Sequence, residues 1–137
     1  MSNYKNIAVI PARGGSKRLK KKNILPFDGK PMILYSVEAA LESGLFERVV
    51  VSTDDPRIRD VVAHTGCEIH ARSSDLATDT ARVVDVIKNL LTAAGRGRHF
   101  DYLCCLYATS PLRTTQDILA AYDLMIEQKA DFCQSVT

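Results

Sequence analysis

Apolar positions along the 137-residue chain follow two alternating patterns. Short unbroken apolar runs bounded by turn residues mark strands buried on both faces, and apolar residues three and four apart mark amphipathic helices. The first run, Ile-Ala-Val-Ile-Pro at 7–11, predicts a buried strand opening into a glycine-containing basic loop that reaches residue 23. A helix is expected next, with Pro31 in its first turn, Gly44 at its end, and Ile33, Leu34, Val37, Ala40 and Leu41 on its apolar face. Residues 48–52, with three valines at their centre, predict a second buried strand. Asp55 and Pro56 cap and start a short helix carrying Ile58, Val61 and Val62 on one side, and Gly66 ends it. A third, shorter strand is expected at 67–71. Asp79 or Thr80 opens a helix whose face is Val83, Val84, Ile87, Leu90, Leu91 and Ala94. Tyr-Leu-Cys-Cys-Leu at 102–106 predicts a fourth buried strand, which runs into a polar turn at 107–111. Thr114 or Thr115 caps a last helix aligned on Ile118, Leu119, Tyr122, Met125 and Ile126, and 132–136 enters a fifth strand.

That order, β-α-β-α-β-α-β-α-β, predicts an α/β domain: a three-layer, open, mainly parallel sheet with helices on both faces. Ligands in such sheets bind beyond the carboxyl ends of the strands. Those ends are 12–22, 52–55, 72–81 and 107–113, and the polar clusters of the chain lie there. The last strand has barely begun at Thr137, so the expectation is a single domain over 1–137 that forms the N-terminal part of something longer.

Composition narrows the class. With 46% hydrophobic and 25% charged residues, the chain fits one ordinary globular domain. No stretch approaches the roughly 20 apolar residues of a membrane helix, and the run at 7–11 is too short for a signal peptide. Cys67, Cys104, Cys105 and Cys133 lack C-x-x-C spacing, and two of them adjoin inside an apolar run. Buried free thiols in a cytoplasmic, reducing compartment are expected, and no metal site.

The net charge of +2 hides an asymmetry. Residues 1–30 hold Lys5, Arg13, Lys17, Arg18, Lys20, Lys21, Lys22 and Lys30 against Asp28 alone, a local charge of +7, and the remainder carries −5. A concentrated positive charge beside a glycine turn points to an anionic ligand. The acidic remainder would repel a long phosphate backbone, so nucleic acid is not an expected partner.

The loop Ala12-Arg-Gly-Gly-Ser-Lys-Arg18 leaves the first strand directly. Gly14 and Gly15 permit close backbone approach and positive φ, so successive N–H groups can form an anion-binding nest, with Arg13, Lys17, Arg18 and Lys22 adding charge. Triphosphate is the natural guest. A plain turn with solvated charges and a basic localisation run at 17–22 are the rival readings. Neither G-x-x-x-x-G-K-[ST] nor G-x-G-x-x-G occurs, which argues against a P-loop and against a dinucleotide oxidoreductase.

Six segments together carry a resemblance: Ile-Pro-Ala-Arg-Gly-Gly-Ser-Lys-Arg (10–18), Lys-Asn-Ile (22–24), Gly-Lys-Pro (29–31), Val-Ser-Thr-Asp-Asp (51–55), Leu-Ala-Thr-Asp-Thr-Ala (76–81) and Ala-Thr-Ser-Pro-Leu-Arg (108–113). In this order the chain resembles the acylneuraminate cytidylyltransferases, the CMP-sialic acid synthetases and their bacterial nonulosonate relatives. The resemblance implies a Rossmann-like nucleotide-diphospho-sugar transferase fold and transfer of CMP from CTP to a nine-carbon keto acid sugar, releasing pyrophosphate. It implies that Arg13, Lys17 and Lys22 act on the triphosphate and on the charge that develops as pyrophosphate leaves. It implies nucleotide contacts from Ala12, Arg13, Gly14, Gly15, Ser16, Asn23, Arg72, Thr80 and Ala81. Tyr107, Thr109, Ser110 and Arg113 would face the sugar, Mg²⁺ would ride on the nucleotide phosphates, and the full-length form would be a homodimer.

Tyr107-Ala108 stands where the sialic-acid enzymes carry Gln-Pro, and Tyr-Ala-Thr is similar to the pseudaminic branch. Ser-Pro-Leu-Arg at 110–113 is similar to the sialic and legionaminic branches. Arg82-Val83 replaces small hydroxyl residues, and Val83 fits the apolar face of its helix. Asp55 reads as a helix cap rather than a metal ligand, and Asp54 and Asp79 are not assigned to a metal either. His64, His70 and His99 share no ligand spacing and are expected to pack or face solvent. Without its C-terminal sugar-binding and dimerisation part, the chain alternatively reads as a nucleotide-binding remnant without turnover.

Overall fold

Asn6–Pro11 forms strand β1, and from Asn6 to Ile10 every side chain is buried. A computed structural model describes residues 4–12, 26–71, 100–108, 112–131 and 133–134. Pro26–Phe27 (β2) and Lys30–Pro31 (β3) pair as a small antiparallel hairpin that leads into helix α1, Met32–Ser43. Strand β4 (Arg48–Thr53), helix α2 (Pro56–Val62), strand β5 (Glu68–Ala71), strand β6 (Tyr102–Cys105) and helix α3 (Thr115–Glu127) follow.

The four longer strands form one parallel sheet in the order β5-β4-β1-β6. Val9 stands against Val50 on one side and against Cys105 on the other. Counted along the chain, the sheet grows from β1 through β4 to β5 and then returns to the opposite side of β1 for β6. This is the strand order of the doubly wound dinucleotide-binding folds, and its reversal falls between β1 and β6.

Alternation along the strands divides the core. Ala8, Ile10, Val49 and Val51 face Ile33 and Val37 of α1, Ile58 and Val62 of α2, and Ile118 of α3. Ile7, Val9 and Val50 point to the opposite face beside Phe100 and are equally buried. Both faces are therefore covered, as the unbroken apolar runs require. The helix expected from 79 or 80 onward lies outside the described residues.

Local chemistry explains the element ends. Pro31 precedes α1 in an extended conformation, as its N-cap rather than in its first turn, and Gly44 ends the helix at φ 69°, the left-handed conformation that glycine adopts at low cost. Asp55 caps α2 by accepting from the Arg57 N–H, with Pro56 at the first helical position. That helix ends at Val62, so Gly66 (φ 90°) closes the turn beyond it instead of the helix itself.

Three further expectations are corrected. The β2–β3 hairpin was not predicted, although Asp28-Gly29, both at positive φ, is a strong hairpin signal. β6 is not fully buried: Leu103 is 37% exposed, because among the described residues β6 forms the sheet edge. Nor are all the thiols buried, since Cys133 is exposed and Cys67, Cys104 and Cys105 are half-buried; all four are free. Of the expected strand at 132–136 only Cys133 and Gln134 are described, and neither is in a strand.

Candidate active site

In an open α/β sheet, ligands bind in the crevice beyond the carboxyl ends of the strands where the strand order reverses, here between β1 and β6. The ends that flank it are firmly placed. Ala12, the first residue beyond β1, is 2% exposed, and its N–H donates to the Ser52 carbonyl of β4 at 2.9 Å. Beyond β6, the Leu106 N–H donates to the Val9 carbonyl at 2.9 Å, and Ala108 is buried in the core. Between them Tyr107 is 52% exposed at the crevice. Its carbonyl accepts from the Ser36 hydroxyl of α1 at 3.0 Å.

The basic loop is anchored at both ends. It starts from Ala12 and returns to the β2–β3 hairpin, which is fixed on α1. There the Tyr35 hydroxyl donates to the Phe27 carbonyl at 2.5 Å, and the Phe27 and Tyr35 rings meet edge to face. The Lys30 ammonium lies over the Tyr35 ring and pairs with Glu38.

At the carboxyl end of β4, Thr53 accepts from the Asp55 N–H at 3.1 Å. Asp55 in turn binds the Arg57 N–H at 2.8 Å and the Arg57 guanidinium at 3.0 and 3.1 Å. Its carboxylate is thus committed to the cap and to an ion pair, in line with the reading as a cap. Ser52 and His70 meet across β4 and β5, with 2.9 Å between Oγ and Nδ1, so His70 packs in the sheet while His64 is exposed.

Arg113 lies between β6 and α3. Its Nη1 is buried and has no hydrogen-bond partner among the described residues, an uncommon state for a guanidinium nitrogen. The positive charge reaches both neighbouring thiols. Burial pushes Cys104 up to about 11 and Cys105 upward, and Arg113 opposes both shifts. Asp117 is held below the ordinary carboxylate range by hydrogen bonds from Thr114 and more weakly by Arg113. Among the described residues no three His, Cys, Asp or Glu side chains are grouped to hold a metal ion.

Of the residues expected at the site, Ala12 and Tyr107 flank the crevice and Arg113 follows on the β6 side. Arg13, Gly14, Gly15, Ser16, Lys17, Lys22, Asn23, Arg72, Thr80, Ala81, Thr109 and Ser110 lie outside the described residues. Ser36 was missed, yet a signal existed: it is a hydroxyl on the helical face otherwise made of Ile33, Val37 and Ala40.

Comparison with known proteins agrees with this geometry. Residues 7–137 match the cytidylyltransferase family model. The chain is 41% identical over 135 residues to a pseudaminic acid cytidylyltransferase of Campylobacter jejuni, covering 97% of this chain and 58% of that protein. It is 42% identical over 120 residues to a CMP-N,N'-diacetyllegionaminic acid synthase of Legionella pneumophila, covering 86% of this chain and 52% of the relative. A solved CMP:2-keto-3-deoxy-manno-octonic acid synthetase complexed with CTP superimposes with a TM-score of 0.75 at 29% identity, covering 92% of this chain and 49% of that one. The chain thus spans little more than half the length of these two curated relatives. No described helix is long and apolar enough to cross a membrane. With the family model matched over 7–137 of its 137 residues, the chain belongs to the cytidylyltransferase family.

Proposed function

We propose that residues 1–137 form the CTP-binding domain of an enzyme that joins CTP to a nonulosonic acid, giving the CMP-sugar and pyrophosphate. The observation that carries this reading is the family match over 7–137, with its basic loop leaving the switch point. The pseudaminic and legionaminic relatives support a nine-carbon keto acid as acceptor. In its full-length form the enzyme works as a cytoplasmic homodimer on this reading, with neither nucleic acid nor membrane as partner.

The chemistry is a single displacement. The anomeric hydroxyl oxygen forms a bond to the α-phosphorus while the bond from that phosphorus to the bridging oxygen of the β-phosphate breaks. The electron pair leaves with pyrophosphate, and the hydroxyl proton passes to water. Catalysis is then mainly alignment and electrostatic stabilisation of the leaving group. Arg13, Lys17 and Lys22 supply the charge. Gly14, Gly15 and Ser16 offer backbone N–H groups, with Ala12 setting where that loop begins. Asn23, Arg72, Thr80 and Ala81 line the nucleoside, and Tyr107, Thr109, Ser110 and Arg113 face the sugar. Mg²⁺ bound with the CTP phosphates would supply further charge neutralisation there.

The test is pyrophosphate release by the full chain from CTP in the presence of sialic, pseudaminic or legionaminic acid. Release that needs both CTP and one of these sugars is expected, and its failure with all three would contradict the function. Arg13→Ala and Lys17→Ala should each lower turnover by about 100-fold with the circular dichroism unchanged. Near-parent release by either variant would remove that residue from the triphosphate site.

A further inference from the structure

Helix α1 holds two segments that are distant in sequence. Tyr35 bonds the Phe27 carbonyl in the hairpin that follows the basic loop, and the next residue, Ser36, bonds the Tyr107 carbonyl beyond β6. Further along the same helix, the Thr115 hydroxyl donates to the Ala39 carbonyl at 3.4 Å and to Glu42 Oε2 at 3.2 Å. Tyr107 and Thr115 are therefore both fastened to α1.

Ser36 is the unusual member of this set. It is 1% exposed, on the apolar face of the helix. A buried hydroxyl is costly unless it is bonded, and a mid-helix serine ordinarily turns to solvent or to the carbonyl four residues back in its own helix. Here it reaches across 71 positions of sequence to the residue after β6.

We propose that Ser36 is a positioning residue for the acceptor sugar: by holding the Tyr107 carbonyl against α1, it fixes where the wall beyond β6 begins. This rests on the function proposed above. Ser36 is buried, so it acts through Tyr107 and not on either substrate. The dependence is steep, because a misplacement of about 1 Å between reacting groups can cost about 100-fold in rate.

The test is steady-state kinetics of the full chain and of Ser36→Ala and Ser36→Thr, with CTP and the sugar varied separately. Ser36→Ala deletes the donor and keeps a good helix former, and Ser36→Thr restores the donor. In Ser36→Ala, kcat/KM for the sugar should fall about tenfold, the loss of a single buried hydrogen bond, while KM for CTP stays within about twofold. Ser36→Thr should recover most of the loss. If Ser36→Thr does not fold, the sugar-against-CTP split in Ser36→Ala decides alone. Unchanged sugar kinetics in Ser36→Ala would overturn the proposal, as would equal damage to the sugar and CTP parameters with a lowered melting temperature. A parent chain inactive with every nonulosonic acid would instead remove the function, and this inference with it, a result distinct from an active parent indifferent to Ser36.

Discussion

Two adjacent thiols on one strand meet different surroundings. Cys104 stands beside Ala8 and packs against the helix-covered core, whereas Cys105 is paired with Val9, whose side chain faces the other way. Burial pushes Cys104 up to about 11, and the nearby Arg113 charge offsets only part of that. A thiol in this state is protonated and inert near neutral pH. Alkylation at about pH 8 should therefore label exposed Cys133 well before Cys104; equal rates would contradict the packing of β6. The linkage has a definite sign. The folded chain holds the Cys104 proton more tightly than the unfolded chain, so this contribution is intact below about pH 9 and is lost as pH rises toward about 11. Denaturant midpoints should fall across that window, and less so in Cys104→Ala. Residue chemistry of this kind was only partly legible in the sequence. The Asp55 cap could be read because it depends on neighbours in sequence, but the Ser36 bond could not, because its acceptor lies on another element.

At the scale of elements, α3 shows how a local signal becomes a fixed structure. Thr114 accepts from the Asp117 N–H at 3.1 Å, and the Asp117 carboxylate accepts from the Thr114 N–H at 2.9 Å, a reciprocal capping box. These bonds hold Asp117 below its ordinary range, so the cap contributes above the unfolded carboxylate pKa and is lost as pH falls through the lower folded value. Thr114→Ala should lower unfolding stability by about 1 kcal/mol at neutral pH. A chemical denaturation curve unchanged from the parent would show that the cap carries no weight. The starts of α2 and α3 and the four main-sheet strands were readable because periodicity and caps are local. The edge position of β6 was not, since an unbroken apolar run of four residues looks alike in the middle and at the rim of a sheet. The β2–β3 hairpin escaped for a different reason: its strands have two residues each, too short for any alternation to register.

For the whole molecule, strand order decides where chemistry takes place. Growth from β1 to β4 and β5, then the return to β6, opens the crevice between Ala12 and Tyr107. The sequence places six of the eight Lys and Arg residues of its first 30 positions in the loop that departs from this point, and the acidic remainder elsewhere. Such focusing draws a compact polyanion to one end of the sheet. The order of strands itself could not be read from the pattern of apolar runs, because pairing partners are set by packing across the sheet. The fold class and the family were legible, the family through the motifs that resemble the cytidylyltransferases.

Calorimetric titration of the folded chain with CTP in the presence of Mg²⁺, with ATP and NAD as controls, tests the central claim most directly. Saturable binding selective for CTP is expected. Equal binding of ATP, or no heat with CTP from a chain whose fold is verified by circular dichroism, would contradict the assignment of residues 1–137 as a CTP-binding domain.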